Sequence, residues 1–102
     1  INNYNPATGE VYTMTPDSGK EDVELAVQAA EKAFPMWAEM PAEDRAMYLN
    51  KIASAISDRM DEFALAETND TGKPLWLSKS VDIPRAVKNF EFFATAVKHF
   101  AS

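Results

Sequence analysis

A stop signal between two helical stretches constrains the fold of this sequence more than any other feature. It occupies residues 67–74 (ETNDTGKP), with apolar residues at helical spacing on both sides. Gly72 can adopt the left-handed conformation that closes a helix, and Pro74 cannot continue one. Asp70 lies inside this stop, where the negative end of the helix dipole disfavours its carboxylate unless a cation or a donor compensates the charge. The stretch therefore predicts a helix end with a task beyond folding.

The composition limits the size and class of the protein. With 102 residues, of which 46% are hydrophobic and 25% charged, the chain suits one soluble globular unit whose core is marginal on its own. It begins at Ile1 and stops at Ser102 within a helical pattern, so we expect a piece of a longer polypeptide. The sequence has no signal peptide and no apolar run of roughly 18 residues, so we expect a cytoplasmic location and no membrane partner.

Two further properties of the composition exclude classes of function. The sequence has no cysteine, which excludes disulfides, cysteine metal sites and a thiol nucleophile within these residues. Its net charge is -6, with 10 Lys and Arg against 16 Asp and Glu. Binding to the phosphates of a nucleic acid needs a basic patch, so we expect no nucleic-acid partner.

Residues 1–15 predict a β-hairpin. The turn NPATG at residues 5–9 places Pro6 where a φ of about −65° is needed, and Gly9 where φ can be positive. Residues 10–15 form the second strand, and their weak alternation of side chains is typical of an edge strand that awaits another partner.

Helical periodicity covers the rest of the chain, from residue 20 to residue 102. We expect Ser18 or Gly19 to cap the first helix. This helix should end at Phe34, because Pro35 disfavours helical geometry at the residue before it. Trp37 then anchors an irregular turn by packing on the same apolar face.

Three further helices are expected after the first. Pro41 is the first residue of the second helix, and Asp61 caps a short third helix that runs from residue 62 to the stop. Pro84 then causes a kink or a new start in the fourth helix, with Asp82 or Ile83 at the cap. The apolar face of the fourth helix comprises Ile83, Val87, Phe90, Ala94, Val97 and Ala101. The chain is thus predicted to be mainly α, with a short N-terminal β-hairpin.

The residues themselves form no recognisable catalytic constellation. The single histidine, His99, lies near the end of the last helix and argues against a metal site built on imidazoles. The only glycines are Gly9, Gly19 and Gly72, so neither a dinucleotide-binding motif nor a phosphate loop occurs.

Two charged residues are candidates for binding. Arg85 lies off the apolar face and can hold a carboxylate bidentately, or else it pairs with Asp82 three residues earlier. Asp70 offers hard oxygen ligands to a small cation, or else it hydrogen-bonds its own backbone as an ordinary loop Asp does. The residues alone leave both choices open.

Four segments resemble, in order and spacing, the N-terminal segment of the aldehyde dehydrogenase superfamily. They are the turn NPATGE (5–10), the helix start EDV (21–23) with Ala29, Ala30 and Phe34, the connection at residues 37–45, and the ETNDTGKP stop. The later DIPR (82–85), with NF (89–90) and FFA (92–94), resembles the branch that acts on semialdehydes related to muconate. The resemblance covers nearly all 102 residues.

The resemblance implies that residues 1–102 form the N-terminal part of an α/β coenzyme-binding domain, and that the catalytic domain lies outside this stretch. It implies oxidation of an aldehyde to a carboxylic acid with NAD or NADP, through a thiohemiacetal on a cysteine that this stretch lacks. No catalytic or cofactor-binding residue can therefore be assigned here, and the chain alone should be inactive. The implied partners are the remainder of the same polypeptide and further copies of it in a homodimer or homotetramer.

The resemblance also implies two sets of site residues. Many members hold a structural Na⁺ or K⁺ ion with a backbone oxygen before the Asn-Pro turn and with the Asp of the stop, which match Asn3 and Asp70. The fourth helix lines the family's substrate entrance, which makes Val81 and Arg85 wall residues and implies a substrate that carries a carboxylate as well as the aldehyde. The rival hypothesis is a free-standing acidic helical module that binds a partner helix through its apolar faces.

Overall fold

Two short strands at the N-terminus are followed by helices that make up most of the chain. The computed structural model describes residues 1–100. The elements are β1 (Asn2–Tyr4), β2 (Val11–Met14), α1 (Lys20–Glu39), α2 (Ala42–Asp58), α3 (Met60–Thr71), α4 (Leu75–Leu77), a π-helical segment (Ser78–Asp82) and α5 (Ile83–His99). The prediction of a mainly α chain with an N-terminal β-hairpin is confirmed.

The hairpin forms around the predicted turn. Strand β1 pairs antiparallel with β2, with Asn3 opposite Thr13, and the register shifts directly after Asn3. The backbone carbonyl of Asn5 accepts a hydrogen bond from the N–H of Gly9 at 2.8 Å, and the Asn5 side chain accepts one from the N–H of Ala7 at 2.9 Å. Gly9 has a φ of 74°, which glycine adopts without steric cost.

Helix α1 is longer than the sequence predicts. It continues through Pro35 to Glu39, so the expected end at Phe34 is wrong, and Trp37 lies within the helix instead of in an irregular turn. A proline removes one intrahelical hydrogen bond, and the following turn can continue if other contacts hold it. Here the Trp37 ring packs on Tyr48 of α2, with 5.9 Å between ring centroids, and this contact holds the last turn.

Both ends of α1 have polar partners. At the N-terminus Gly19 is the cap, as predicted, and its N–H donates to the Asp22 carboxylate at 2.9 Å. The last turn of α1 contains no basic residue. Instead Arg45 of α2 donates to the backbone carbonyls of Ala38 at 3.3 Å and Met40 at 2.8 Å, which places a cation at the negative end of the helix dipole.

The ends of α2 and α3 agree only partly with the predictions. Pro41 precedes α2 as its cap instead of being its first helical residue. Arg59 alone separates α2 from α3, so the expected break is present, but Asp61 is not the cap of α3. Because α3 begins at Met60, Asp61 lies in the first turn, where it faces the positive end of the dipole. Gly72 ends α3 with a φ of 77°, as predicted.

The predicted fourth helix is divided into three elements. After Pro74, α4 lasts three residues, the π-helical segment lasts five, and α5 begins at Ile83 with Pro84 in its first turn. Asp82 is the residue before α5, as predicted. The irregularity expected near Pro84 is therefore confirmed, and it takes the form of a wider helical turn.

The core consists of small side chains between α2, α3 and the last helix. The buried residues are Ala46, Ala53, Ala64, Ser78, Ile83 and Ala94. Alanines leave room for two helix backbones to approach closely, and α2 packs along α5 in this way. Of the face predicted for the last helix, Ile83 and Ala94 are buried, and Val87, Phe90 and Val97 are half-buried. Ala101 lies outside the described residues.

Much of the apolar surface stays open to solvent. Helix α1 contains no buried residue. Large side chains remain exposed on α1 and on the last helices, among them Phe34 at 66%, Trp76 at 67% and Phe93 at 60%. Within residues 1–100, no helix combines the length and the apolar character needed to cross a membrane.

Candidate functional site

The hairpin meets the stop signal at Asp70. The Oδ1 atom of Asp70 accepts a hydrogen bond from Asn3 Nδ2 at 3.0 Å and another from the Tyr12 hydroxyl at 2.8 Å. Asn3 Nδ2 also donates to the Tyr12 oxygen at 2.9 Å. These donors compensate a carboxylate that lies one residue before the end of α3, where the helix dipole disfavours it. The structure thus brings Asn3 and Asp70, the two predicted cation ligands, into direct contact.

The hydrogen bonds at this joint shift both titratable groups. Hydrogen bonds from Asn3 and from Tyr12 lower the pKa of Asp70. The hydrogen bond to Asp70 raises the pKa of Tyr12, and partial burial and the carboxylate charge raise it further. Both shifts favour a charged carboxylate beside a neutral phenol at neutral pH.

A close backbone contact completes the joint between the hairpin and the stop. A Cβ atom on Gly72 would lie 3.0 Å from the Cβ of Pro6 in the hairpin turn. The same residue has a φ of 77°. The backbone conformation at position 72 therefore favours glycine, and a larger residue there would also press on Pro6.

The donor set at this joint suits a hard cation. Both hydrogen bonds to Asp70 go to Oδ1, and the residues that the structure describes place none on Oδ2. A carboxylate oxygen is the ligand that Na⁺, K⁺ and other hard cations prefer. Residues 1–100 contain no group of three or more His, Cys, Asp or Glu able to hold a metal ion. An ion here would therefore take its remaining ligands from backbone oxygens, such as that of Asn3.

A second cluster connects the stop to the π-helical segment. Lys73 Nζ lies 2.9 Å from Glu67 Oε1 and 2.7 Å from Asp82 Oδ2. Asp82 raises the pKa of Lys73 most, and Glu67 adds to the shift, because both carboxylates favour the charged amine. Asp82 therefore pairs with Lys73, and the predicted alternative in which it pairs with Arg85 is wrong.

The start of the π-helical segment is attached to α3 by a partly buried hydrogen bond. Ser78 is 0% exposed, and its hydroxyl lies 2.9 Å from the hydroxyl of Thr68. One hydroxyl donates and the other accepts, so the buried Ser78 hydroxyl has a hydrogen-bond partner. The segment is consequently tied to α3 at its first residue, Ser78, and to Lys73, just beyond the end of α3, at its last residue, Asp82.

The two predicted wall residues lie where α5 begins. Val81 belongs to the π-helical segment and Arg85 to the first turn of α5, and both are exposed. Among the described residues Arg85 has no ion-pair partner. Of the four predicted site residues, the structure brings Asn3 and Asp70 into contact, and it places Val81 and Arg85 four residues apart at the start of α5.

Sequence reasoning missed three residues that hold these sites together. Tyr12 was only one member of a weakly alternating strand, and Lys73 only one residue of the stop. Ser78 lies ten residues from Thr68, a spacing that predicts no contact within one helix. The one available signal was the unfavourable position of Asp70, which called for a donor without identifying it.

Comparison with known proteins places the chain among aldehyde dehydrogenases. The model of the aldehyde dehydrogenase family matches residues 1–102. The 2-aminomuconic semialdehyde dehydrogenase of Homo sapiens is 46% identical over 102 residues, which are 100% of this chain and 21% of that protein. The chain therefore spans about a fifth of the length of the curated relatives it matches.

Solved structures agree with this match. The lactaldehyde dehydrogenase of Escherichia coli has a TM-score of 0.95 and 32% identity, over 99% of this chain and 21% of that one. An aldehyde dehydrogenase from Bacillus cereus in complex with NAD⁺ has a TM-score of 0.89 and 36% identity, over 93% and 20% of the two chains. A match along the whole chain does not favour the hypothesis of a free-standing helical module.

Proposed function

Because this chain belongs to the aldehyde dehydrogenase family, we propose that the full-length protein oxidises an aldehyde to a carboxylic acid with NAD or NADP. The family match over residues 1–102 is the observation that carries this proposal. The test is to add aldehydes to the full-length polypeptide and to measure the formation of reduced nicotinamide. A folded full-length protein that reduces neither NAD nor NADP with any aldehyde would contradict the proposal.

Within such an enzyme, we assign residues 1–102 to the N-terminal part of the coenzyme-binding domain. The chain has no cysteine and no Gly-rich dinucleotide motif. The nucleophile and the residues that hold the nicotinamide dinucleotide must therefore come from the rest of the polypeptide. When bound, the dinucleotide accepts the hydride, and the residues described here position the helices that border the substrate.

The proposed substrate is a semialdehyde that carries a carboxylate. Arg85 is exposed, and its neighbour Asp82 is already paired with Lys73, so the guanidinium is free to hold a carboxylate through two parallel hydrogen bonds. Val81 lies four residues earlier and offers an apolar surface to the carbon chain. The human relative is named for a semialdehyde of a muconic acid, which fits this arrangement.

Substitution of Arg85 tests the substrate class. In the full-length enzyme, Arg85→Ala should lower kcat/KM for a muconate-type semialdehyde about 10- to 150-fold, which corresponds to the loss of about 1.5–3 kcal/mol from a charge-assisted contact. It should not change kcat/KM for an aldehyde without a carboxylate. Lys98→Ala, which removes a cation at the other end of α5, is the control. Equal loss with both substrates would refute the role of Arg85.

We further propose that Asn3 and Asp70 hold a monovalent cation, Na⁺ or K⁺. Asp70 contributes a carboxylate oxygen and Asn3 its backbone oxygen, and the ion stabilises the contact between the hairpin and α3. Asp70→Ala should abolish any dependence of the thermal stability of the full-length enzyme on Na⁺ or K⁺. Asp61→Ala, which removes an exposed carboxylate from the same helix, should preserve it. The same dependence in Asp70→Ala as in the wild type would show that the ion binds elsewhere.

The proposed assembly is a cytoplasmic homodimer or homotetramer. The support is the apolar surface of α1, which has no buried residue and which the rest of the polypeptide or further copies can cover. Light scattering on the purified full-length protein measures the mass, and a monomer at micromolar concentration would contradict the proposal.

A further inference from the structure

Asp82 lies within reach of two cations in the sequence. Lys73 precedes it by nine residues, across the end of the stop, and Arg85 follows it by three. Residues three apart on a helix are neighbours on its surface, so Asp82 and Arg85 could form an ion pair. In the structure Asp82 pairs with Lys73 instead of Arg85, with Lys73 Nζ 2.7 Å from Asp82 Oδ2.

Two features stabilise the ion pair between Lys73 and Asp82. Its amine lies between Asp82 and Glu67, so it makes two ion pairs at once. The three side chains are 27%, 30% and 35% exposed, whereas those of the neighbouring pair of Lys79 and Asp61 are 46% and 83% exposed. Water and salt therefore screen the Lys73 pairs less than the Lys79 pair.

The backbone around Asp82 is fixed relative to Lys73. The π-helical segment that ends at Asp82 begins at the buried Ser78, whose hydroxyl is bonded to Thr68 of α3. Glu67, the second partner of Lys73, also belongs to α3. The hydrogen bond attaches the first residue of this segment to α3, and Lys73 connects its last residue, Asp82, to Glu67 of the same helix.

We propose that Lys73 is a positioning residue for substrate binding, which occupies the Asp82 carboxylate and so prevents Asp82 from pairing with Arg85. The Arg85 guanidinium then remains available to the carboxylate of the substrate. This inference rests on the proposed role of Arg85. Without Lys73, Asp82 competes with the substrate for the same guanidinium, and the affinity for substrates with a carboxylate falls.

Kinetics of the full-length enzyme test the proposal. Lys73→Met should raise KM for a muconate-type semialdehyde about two- to threefold, because the substrate must displace the exposed ion pair that Asp82 then forms with Arg85 three residues later. The increase for an uncharged aliphatic aldehyde should be much smaller. Lys73→Arg, which preserves both ion pairs, should restore the wild-type KM. Lys79→Met, in the same π-helical segment, is the matched control and should leave both KM values at wild-type levels.

A second substitution distinguishes competition from loss of structure. Adding Asp82→Asn to Lys73→Met removes the competing charge and should restore the KM for the semialdehyde. Asp82→Asn alone breaks the bridge but also removes the competitor, so its KM should stay near that of the wild type. If Asp82→Asn raises KM as much as Lys73→Met does, or if the double variant is not rescued, Lys73 acts only through the fold and the proposal is wrong.

The kinetics of Arg85→Ala show whether the proposed role of Arg85 fails or only the proposed role of Lys73. If Arg85→Ala has the same KM for the semialdehyde as the wild type, the assignment of the substrate carboxylate to Arg85 fails. If Arg85→Ala raises this KM but Lys73→Met does not, Arg85 keeps its role and the inference about Lys73 alone is overturned. Melting temperatures of all variants show whether each one is folded.

Discussion

At the scale of single residues, Asp70 shows how a charge in an unfavourable position is stabilised. The pKa of its carboxyl lies below the ordinary value of 3.8, because Asn3 and Tyr12 donate to the charged form. The folded state therefore binds fewer protons than the unfolded state in this acidic range. The stabilisation from this joint is fully present above the ordinary pKa, and it is lost as the pH falls through the lower, folded-state pKa.

Removal of the Tyr12 hydroxyl should change the pKa of Asp70. Tyr12→Phe deletes the hydroxyl that donates to Asp70 at 2.8 Å, so the pKa of Asp70 should rise toward its ordinary value. The carboxyl carbon resonance of Asp70, followed by NMR during a pH titration, measures the change. Tyr4→Phe on strand β1 is the control and should leave the titration of Asp70 as in the wild type. An unchanged pKa in Tyr12→Phe would mean that the hydroxyl does not bind the carboxylate in solution.

Alanine substitutions at two glycines distinguish the cost of backbone strain from the cost of a steric clash. Gly9 and Gly72 have φ angles of 74° and 77°, but only Gly72 has an atom of another residue within 4 Å of the Cβ position. Gly9→Ala should therefore cost about 1–2 kcal/mol of unfolding free energy from strain alone. Gly72→Ala should cost more, because its methyl group would lie 3.0 Å from Pro6. Denaturant unfolding measures both values, and equal costs would show that the hairpin moves away freely.

At the scale of elements, the hydrogen bond between α3 and the π-helical segment should contribute measurably to stability. Ser78→Ala leaves the hydroxyl of Thr68 without its buried partner and should cost about 1–3 kcal/mol of unfolding free energy. The double variant Ser78→Ala/Thr68→Val removes both hydroxyls and should cost less than the sum of the single variants. Ser80→Ala, at an exposed position of the same segment, is the control. Strict additivity would contradict the direct contact.

Some boundaries of the helices follow from local conformational preferences, and others depend on tertiary packing. Gly72 ends α3 because a left-handed residue suits that position whatever surrounds it. Pro35 did not end α1, since the packing of Trp37 on Tyr48 outweighs the local preference. Pro84 predicts an irregularity near Ser78–Asp82, but no local signature shows that it takes the form of a π-helical segment. Its two ends meet Thr68 of α3, which lies opposite Ser78, and Lys73 of the stop, which pairs with Asp82.

At the scale of the whole molecule, the small core and the open apolar surface predict that the 102-residue chain needs further protein surface to cover it. Expressed alone, it should bind a hydrophobic dye such as anilinonaphthalene sulfonate strongly and should self-associate. The full-length protein should bind far less dye per mole. Fluorescence titration and gel filtration measure the two effects, and a monodisperse chain without dye binding would contradict this expectation.

The sequence by itself determined the hairpin turn, the helical character of residues 20–100 and the end of α3. Each of these depends on the conformational preferences of neighbouring residues. The motif order also placed the chain in its family. Only the tertiary structure decided that Asp70 meets Asn3, which is 67 residues away, and that Asp82 pairs with Lys73 instead of Arg85. Local spacing allowed several partners for each charge, and the packing of the hairpin and the π-helical segment on α3 selected one.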